Sequence, residues 1–573
     1  MKTISRVMLI LNLASIIFGV FYALFPAYTP IWDIFGGVLL ATIFGNLALV
    51  FLIDSAVDKK SPSGKKLNLG SYGFLIIISI MVLGMLGGNF IFTSSDPSHV
   101  IVFVCYFGLL GSGMLYSYAS LRYCSDAKQV PAIEGAAQGS GIGRRRLWRL
   151  IRILAIIGCW SFLLIGILLC IITLAGADLF PEYSDLSVLM GFIGVYASMW
   201  DLGWAIIMLA VALFLVKMMH SSKHTKLTWG IGILGLVMTG IMVTPLIATL
   251  ASTSDADNAF TQAFGADWQT KVSSASAFFL PTRFVLPGYF LGAPPKNFVK
   301  IPDVSFYNGT SGKDTGIELK FDAYLPPNNG QGLPGGNSTL IRIHGGAWVI
   351  GDKGMSNIPQ MNEYFAAQGY CVFDIQYGIN NFTNNFFNNF KMLTPNAVLG
   401  NFTTEDMLHH IGIFCKYLSD NQAKYGANLS SVFVSGGSAG GQLTCATALA
   451  ITSRNYTTGI FNGSNSLIIK GFIPFYPANG MGSFLGYAPP ELIDPALLVN
   501  STSPPCLIFQ GSQDGLINPS IARAFKQAYT DAGNVACALI SIPFAGHGND
   551  YHFSGYYNQF FLYYMERFMY LSH

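Results

Sequence analysis

The chain has 573 residues, of which 52% are hydrophobic and 11% charged, against roughly a quarter charged in an ordinary soluble domain. This composition excludes a purely soluble protein, a disordered chain and a small disulfide scaffold, while the length accommodates a membrane portion plus one sizeable globular domain. A formal net charge of +3, with no basic block interleaved with aromatics, excludes a nucleic-acid partner.

Residues 1–250 repeat apolar stretches of about 20 or more residues, the length a helix needs to cross a hydrocarbon core about 30 Å thick. Seven are predicted, near 7–28, 34–53, 71–93, 100–120, 153–177, 187–216 and 228–250. The first is long and lacks a small-residue cleavage site, so it reads as a retained anchor. Lys2 and Arg6 precede it, and Lys59, Lys60, Lys65 and Lys66 follow the second stretch. Arg122, Lys128, Arg144, Arg145, Arg146, Arg149 and Arg152 follow the fourth, and Lys217, Lys223 and Lys226 the sixth. The alternate loops 29–33, 94–99 and 178–186 lack Lys and Arg and carry Asp33, Asp96, Asp178, Glu182 and Asp185. Because positively charged loops stay cytoplasmic, the N-terminus is predicted inside, and everything after residue 250 on the lumenal or extracellular side.

Within this membrane half, Asp201 falls mid-span in MWDLGW. A carboxylate at that depth reads either as a polar pathway or interhelical contact, or as a kink or misplaced boundary. GMLGGNF and LLGSGM offer small residues for close helix packing. His220 and His224 are spaced i, i+4 but lie in a short cytoplasmic loop and read as loop residues, not metal ligands.

Residues 251–300 form a connector in which Pro281, Pro287, Pro294 and Pro295 preclude one continuous helix. Its aromatics, Phe278, Phe279, Phe284, Tyr289 and Phe290, read as exposed, at the membrane interface or against the following domain.

From residue 301 to 573 short β-rich runs alternate with helical patterns: STLIRIHGG, YCVFDIQY, SVFVSGG, IIKGFIPFY, PCLIFQGSQD and ACALISIPFAGH. Such alternation predicts a mostly parallel sheet with helices on both faces and chemistry at the strands' carboxyl ends. The Asn/Phe-rich stretch 380–390 reads as an inserted loop, part of a cap. SVFVSGGSAGGQL places Ser438 between Gly436 and Gly440, after a strand and before an Ala/Leu-rich helix. Small neighbours permit the tight turn that projects a nucleophilic hydroxyl. His344, Gly345 and Gly346 follow an earlier strand, where N–H groups are free to face a developing oxyanion together with that of Ala439. Asp514 and His547 follow two later strands, giving the order Ser, Asp, His. His552 is the alternative base, Asp550 reads as a surface loop residue, and His409 and His410 as ordinary residues of a helix over 404–420.

Eight Asn-x-Ser/Thr sequons, at Asn308, Asn337, Asn381, Asn401, Asn428, Asn455, Asn462 and Asn500, all lie in the second half and mark glycosylation candidates. Of nine cysteines, Cys105, Cys124, Cys159 and Cys170 belong to the membrane half. Cys371, Cys415, Cys445, Cys506 and Cys537 sit in apolar runs and read as buried free thiols. The halves differ in formal charge, +6 for residues 1–250 and −3 for 251–573.

The segments HGGAWVIGDK, YGANLSSVFVSGGSAGGQL, SPPCLIFQGSQDGLI and PFAGHGNDYHF resemble the esterase/lipase branch of the α/β-hydrolases, the group with hormone-sensitive-lipase-like and feruloyl-esterase-like carboxylesterases. The resemblance covers about residues 296–571. It implies an α/β hydrolase fold after a transmembrane bundle, Ser438, Asp514 and His547 as a triad, Gly345, Gly346 and Ala439 as oxyanion donors, and no metal or organic cofactor. Ala347 departs from the family's HGGG at its third glycine. The expected activity is cleavage of carboxylic esters, hydrophobic or lipid-like ones included, at a bilayer. Its rivals are acyl transfer through the same acyl-enzyme and a catalytically silent binding ectodomain on a seven-span receptor or transporter.

Overall fold

The computed structural model describes the chain apart from residues 26–30, 60, 94, 124–141, 177–192, 195–196, 220–224, 294–295, 356–357 and 383–393, together with the side chains of 142–148. Outside the described residues therefore lie His220, His224, Cys124, Lys60, Lys128, Lys223, Asp178, Glu182, Asp185, Pro294, Pro295, most of the Asn/Phe-rich stretch, the first part of the sixth apolar stretch and the side chains of Arg144, Arg145 and Arg146.

Among the described residues seven helices are long and apolar enough to cross a membrane. They are α1 (Lys2–Leu24), α2 (Ile31–Ala56), α3 (Pro62–Ile91), α4 (Val100–Tyr123), α5 (Ile142–Ala175), α6 (Asp201–Met219) and α7 (Thr225–Ala251). Each carries apolar side chains around its whole circumference, the pattern of a helix that meets lipid on one side and protein on the other. At one end of the bundle Lys217 and Lys59 pair with Asp54, and Lys217 also donates to Asn68. Paired in this way, a cation and a carboxylate tolerate partial burial.

The sixth stretch is corrected in register. The helix α6 starts at Asp201, so this carboxylate stands at a helix N-terminus and not mid-span. The positive end of the helix dipole favours it there. Asp201 accepts from Leu202 N at 2.6 Å and from Tyr556 Oη at 2.7 Å, which satisfies a side chain with no solvent exposure.

Beyond the bundle the connector folds into α8 (Thr253–Phe264) and short turns ending in a helix over Leu286–Leu291. Its aromatics are largely not exposed: Phe279, Tyr289 and Phe290 are buried and Phe284 is half-buried, leaving Phe278 at the surface. They fill the space between the bundle and the next domain, which removes them from water on both sides.

An eight-stranded sheet follows, from β1 (Val299–Asn308), β2 (Glu318–Leu325), β3 (Ser338–Ile343) and β4 (Cys371–Ile375) to β5 (Asn428–Gly437), β6 (Ile469–Phe475), β7 (Cys506–Gly511) and β8 (Cys537–Ile542). The order across the sheet is β1-β2-β4-β3-β5-β6-β7-β8. Strand β2 pairs antiparallel with both β1 and β4, and every other pair in this sheet is parallel. Helices α9 (Pro359–Ala367), α10 (Thr404–Tyr425), α11 (Ala439–Ser453), α12 (Pro519–Asp531) and α13 (Tyr556–Ser572) complete the layers. The central strands are apolar at successive positions because both faces are covered.

Those two faces belong to different cores. Ile341, Phe373, Val434 and Ile508 point into a cluster closed by α10, α11 and α12. Leu340, Val372, Phe433 and Phe509 join a second cluster that continues through α13 and the connector into α1 to α4 and α6, from Met8 to Met569. Polar contacts line the same seam. Tyr22 Oη donates to Gly292 O at 2.9 Å, Asn89 Nδ2 to Phe290 O at 2.9 Å and Gln513 Nε2 to Leu174 O at 3.4 Å. Bundle and sheet thus share one hydrophobic core.

The bond from Tyr556 to Asp201 crosses that seam. Replacing Tyr556 by Phe strips the buried carboxylate of a donor, and a loss of about 1–3 kcal/mol is expected. Thermal unfolding of the full-length chain in detergent will read it, with Asp201→Asn partly restoring the stability of Tyr556→Phe.

Candidate active site

Strand β5 ends and α11 begins within one residue, Ser438, whose backbone takes φ 58° and ψ −123°. A non-glycine residue adopts such a conformation when its surroundings fix it. Here Ser438 N donates to Phe475 O at 3.0 Å, and Ser438 O accepts from Gln442 N at 3.0 Å and Ala478 N at 3.2 Å. The flanking glycines admit the crowding. A Cβ at Gly436 would stand 2.3 Å from Ile343 O, and one at Gly440 2.5 Å from His344 O. Ala439 opens α11, so its N–H belongs to the first turn, which has no intrahelical acceptor.

The loop after β3 lies directly against this turn, since a Cβ at Gly345 would meet Gly437 O at 2.7 Å and Ser438 Cβ at 3.5 Å. Gly346 turns through φ 115°, followed by Ala347 at 52° and Trp348 at 61°. The alanine that replaces the expected third glycine therefore keeps a glycine-type conformation, at a steric cost. His344 anchors the loop base. Its ring stacks on Tyr377 at 4.2 Å, and its carbonyl accepts from Tyr377 Oη at 2.6 Å. Burial pushes its imidazole below the usual range.

The structure brings Asp514 and His547 together, with His547 Nδ1 3.0 Å from Asp514 Oδ2. The carboxylate is fully enclosed and held by Leu516 N at 3.0 Å, Ile517 N at 2.9 Å and Gln510 Nε2 at 3.2 Å. Tyr476 joins this pair to the elbow. Its ring lies 4.5 Å from that of His547, and its hydroxyl lies within 2.9 Å of the place a Gly437 Cβ would take. Ser438, His547 and Asp514 are each at most 7% exposed, so chemistry at this point is shielded from bulk water.

Two expectations change. Asp550 is buried, not on a surface loop: it accepts from Tyr476 Oη and faces the buried guanidinium of Arg342. Desolvation nevertheless holds its carboxyl above the usual range. His552 bonds Ser554 Oγ at 3.3 Å and packs on Tyr289, and burial pushes it down to about 3. Among the described residues it has no hydrogen bond to Asp514, and it stays neutral at working pH. His410 is a buried tether, accepting from Gly378 N at 3.1 Å and facing Asp314 at 3.2 Å, whereas His409 is exposed.

Sequence patterns missed Tyr476, Arg342 and Gln510. Tyr476 immediately follows a strand, in FIPFYP, which is the signal that would have found it. Of the eight sequons, seven have exposed asparagines, while Asn337 is half-buried in a left-handed turn. Cys371, Cys415, Cys445, Cys506 and Cys537 are buried free thiols.

Residues 412–491 match the family model described as the α/β hydrolase fold. Esterase LipQ of Mycobacterium tuberculosis is 23% identical over 232 residues, which cover 37% of this chain and 50% of that protein. The chain thus spans about half the length of this curated relative. Among solved structures, the apo form of Thermogutta terrifontis esterase 2 is 19% identical with a TM-score of 0.35, covering 48% of this chain and 91% of that one. Esterase B from Lactobacillus rhamnosis is 17% identical with a TM-score of 0.35, covering 50% and 87%. The chain is a helical region with seven candidate membrane helices followed by a mostly parallel α/β hydrolase region.

Substituting Ala347 by Gly relieves the left-handed strain, set against the extra freedom glycine gives the unfolded chain. A net stabilisation of up to about 1 kcal/mol is expected in thermal melts, with the loop geometry retained.

Proposed function

We propose that this chain is a membrane-anchored serine hydrolase that cleaves carboxylic esters, hydrophobic or lipid-like ones included. The observation that carries the reading is the strained Ser438 elbow lying beside the His344-Gly345-Gly346 loop, with the His547–Asp514 pair joined to it through Tyr476. Ser438 Oγ attacks the ester carbonyl carbon while His547 Nε2 takes its proton. Asp514 fixes the tautomer through Nδ1–H and stabilises the imidazolium. The developing oxyanion accepts from the N–H groups of Gly345, Gly346 and Ala439, each such donor contributing about 3–4 kcal/mol. Collapse releases the alcohol, which takes the proton from His547, and leaves an acyl-enzyme. Water, deprotonated by the same imidazole, then frees the acid and Ser438.

Location supports the substrate class. Gln513, next to Asp514, touches the end of α5 through Leu174 O, so the catalytic loop stands where an apolar helix emerges. Charge supports the orientation. Lys59, Lys65, Lys66, Arg122, Lys217 and Lys226 lie at the bundle end away from the sheet, and such residues stay cytoplasmic. The hydrolase region then faces the lumen or exterior, where exposed asparagines of the sequons take glycans.

A fluorophosphonate probe on the full-length membrane protein is expected to label the native chain and leave Ser438→Ala unlabelled. Asp514→Asn is expected to lower ester turnover by about 10³–10⁴-fold, and His552→Gln to retain labelling. Full labelling of Ser438→Ala would sink the assignment.

A further inference from the structure

Where the bundle meets the sheet domain there is a cavity of about 500 Å³ that contains none of Ser438, Asp514 or His547. Its size falls within the range of ligand pockets, roughly 300–1,000 Å³. Its walls are Tyr22 of α1, Trp32 of α2, Phe279 and Val285 of the connector, and Phe553 and Leu562 at α13, all nearly or fully buried. These walls are apolar.

Among the polar side chains in the lining, which also include Asn297, Ser554 and Gln559, two bear on what it holds. Lys296 lies exposed at the rim beside Phe278, its Nζ 4.3 Å over the ring of Tyr364. It makes no ion pair with a carboxylate among the described residues. Farther in, Gln368 is 1% exposed and spends its amide N–H groups on Phe278 O and Glu566, while among the described residues its Oε1 accepts no hydrogen bond. A buried acceptor without a donor costs free energy until something supplies one.

Depth completes the argument. Tyr22 and Trp32 stand at the ends of membrane-length helices, the level at which tyrosine and tryptophan favour the boundary between hydrocarbon and head groups. An occupant therefore meets apolar walls within and, at the rim, a cation that among the described residues makes no salt bridge and feels only the more distant carboxylate of Glu566.

We propose that this cavity binds a single-chain acidic amphiphile, its acyl chain between α1, α2 and α13 and its anionic head group on Lys296. In a phospholipid-derived occupant the glycerol hydroxyl next to the head group donates to Gln368 Oε1, whereas a free fatty acid leaves that acceptor unmet. The site is separate from the catalytic one and does not rest on the esterase reading.

The test uses the full-length chain in mild detergent with a pyrene-labelled fatty acid, displaced in turn by oleate, by 1-oleoyl-lysophosphatidate and by uncharged monooleoylglycerol. Displacement by either acid is expected, and their order identifies the source as free fatty acid or phospholipid-derived. Ala367→Phe fills the cavity from α9 and is expected to weaken all binding at least tenfold. Lys296→Glu, at an exposed position that folding tolerates, is expected to weaken both acids at least tenfold while changing monooleoylglycerol less than twofold. Fluorophosphonate labelling of Ser438 should be unchanged in both variants, which separates failure here from failure of the catalytic assignment. Native affinity in Lys296→Glu, or an equal loss for the uncharged lipid, would overturn the proposal, as would unaltered probe binding in a folded Ala367→Phe.

Discussion

Helix α13 is buried along almost its entire length, from Tyr556 to Met569, and that constraint organises the molecule. A helix covered on all sides needs two partners. One is the sheet face made by Phe433, Ile473, Phe475 and Phe509, and the other is the connector with the apolar helical bundle behind it. The buried carboxylate Glu566 is fully satisfied in this seam: it accepts from Tyr364 at 2.7 Å, Gln368 at 3.0 Å, Leu280 N at 2.6 Å and Arg567 at 2.8 Å. The segment that leads into α13 also carries His547 and Asp550. Whatever fixes the helix therefore fixes the position of the imidazole.

The site combines two ways of handling buried polarity. Asp514 is held by direct donors from Leu516 N, Ile517 N and Gln510 Nε2, which fix its orientation towards His547. Asp550 and Arg342 face each other through an apolar interior, with Tyr476 between the acid and the imidazole. The aromatic ring of Tyr476 leaves His547 a defined face to rest on without adding a charge to it. Rigid support of this kind preserves the alignment on which proton transfer depends.

Much of this was legible in the sequence where local rules dominate. The run of β-branched residues ending in Gly436-Gly437-Ser438 needs no partner to announce a strand, a tight turn and a helix. Strand-end residues such as Asp514 and His547 were placed by the same logic. Asp550 was misread because its surroundings, Tyr476 and Arg342, come from distant parts of the chain; for Asp201 the sequence offers a polar contact and a misplaced span boundary alike, and the helix start together with the remote donor Tyr556 decides between them. For the connector aromatics only the expected exposure was wrong, since of the two placements open in the sequence it is packing against the following domain that the structure takes. An amphipathic or interfacial pattern and a segment buried between two domains look alike until the second domain is in place. Ala347 shows the opposite case, where a family's glycine pattern is broken in sequence yet the backbone conformation survives.

The shared core also bears on how the chain folds during synthesis. The apolar helices α1 to α7 are made first, and α13 emerges after every strand of the sheet. Until residues 556–569 arrive, the sheet face they cover and the buried end of α6 at Asp201 both lie open, and contacts of this sequence separation close late. Completion of the helical bundle and closure of the sheet domain are thus joined at a single late step. A chain interrupted before that step would present unsatisfied apolar surface on both sides of the seam, the feature by which quality-control machinery distinguishes unfinished proteins from finished ones.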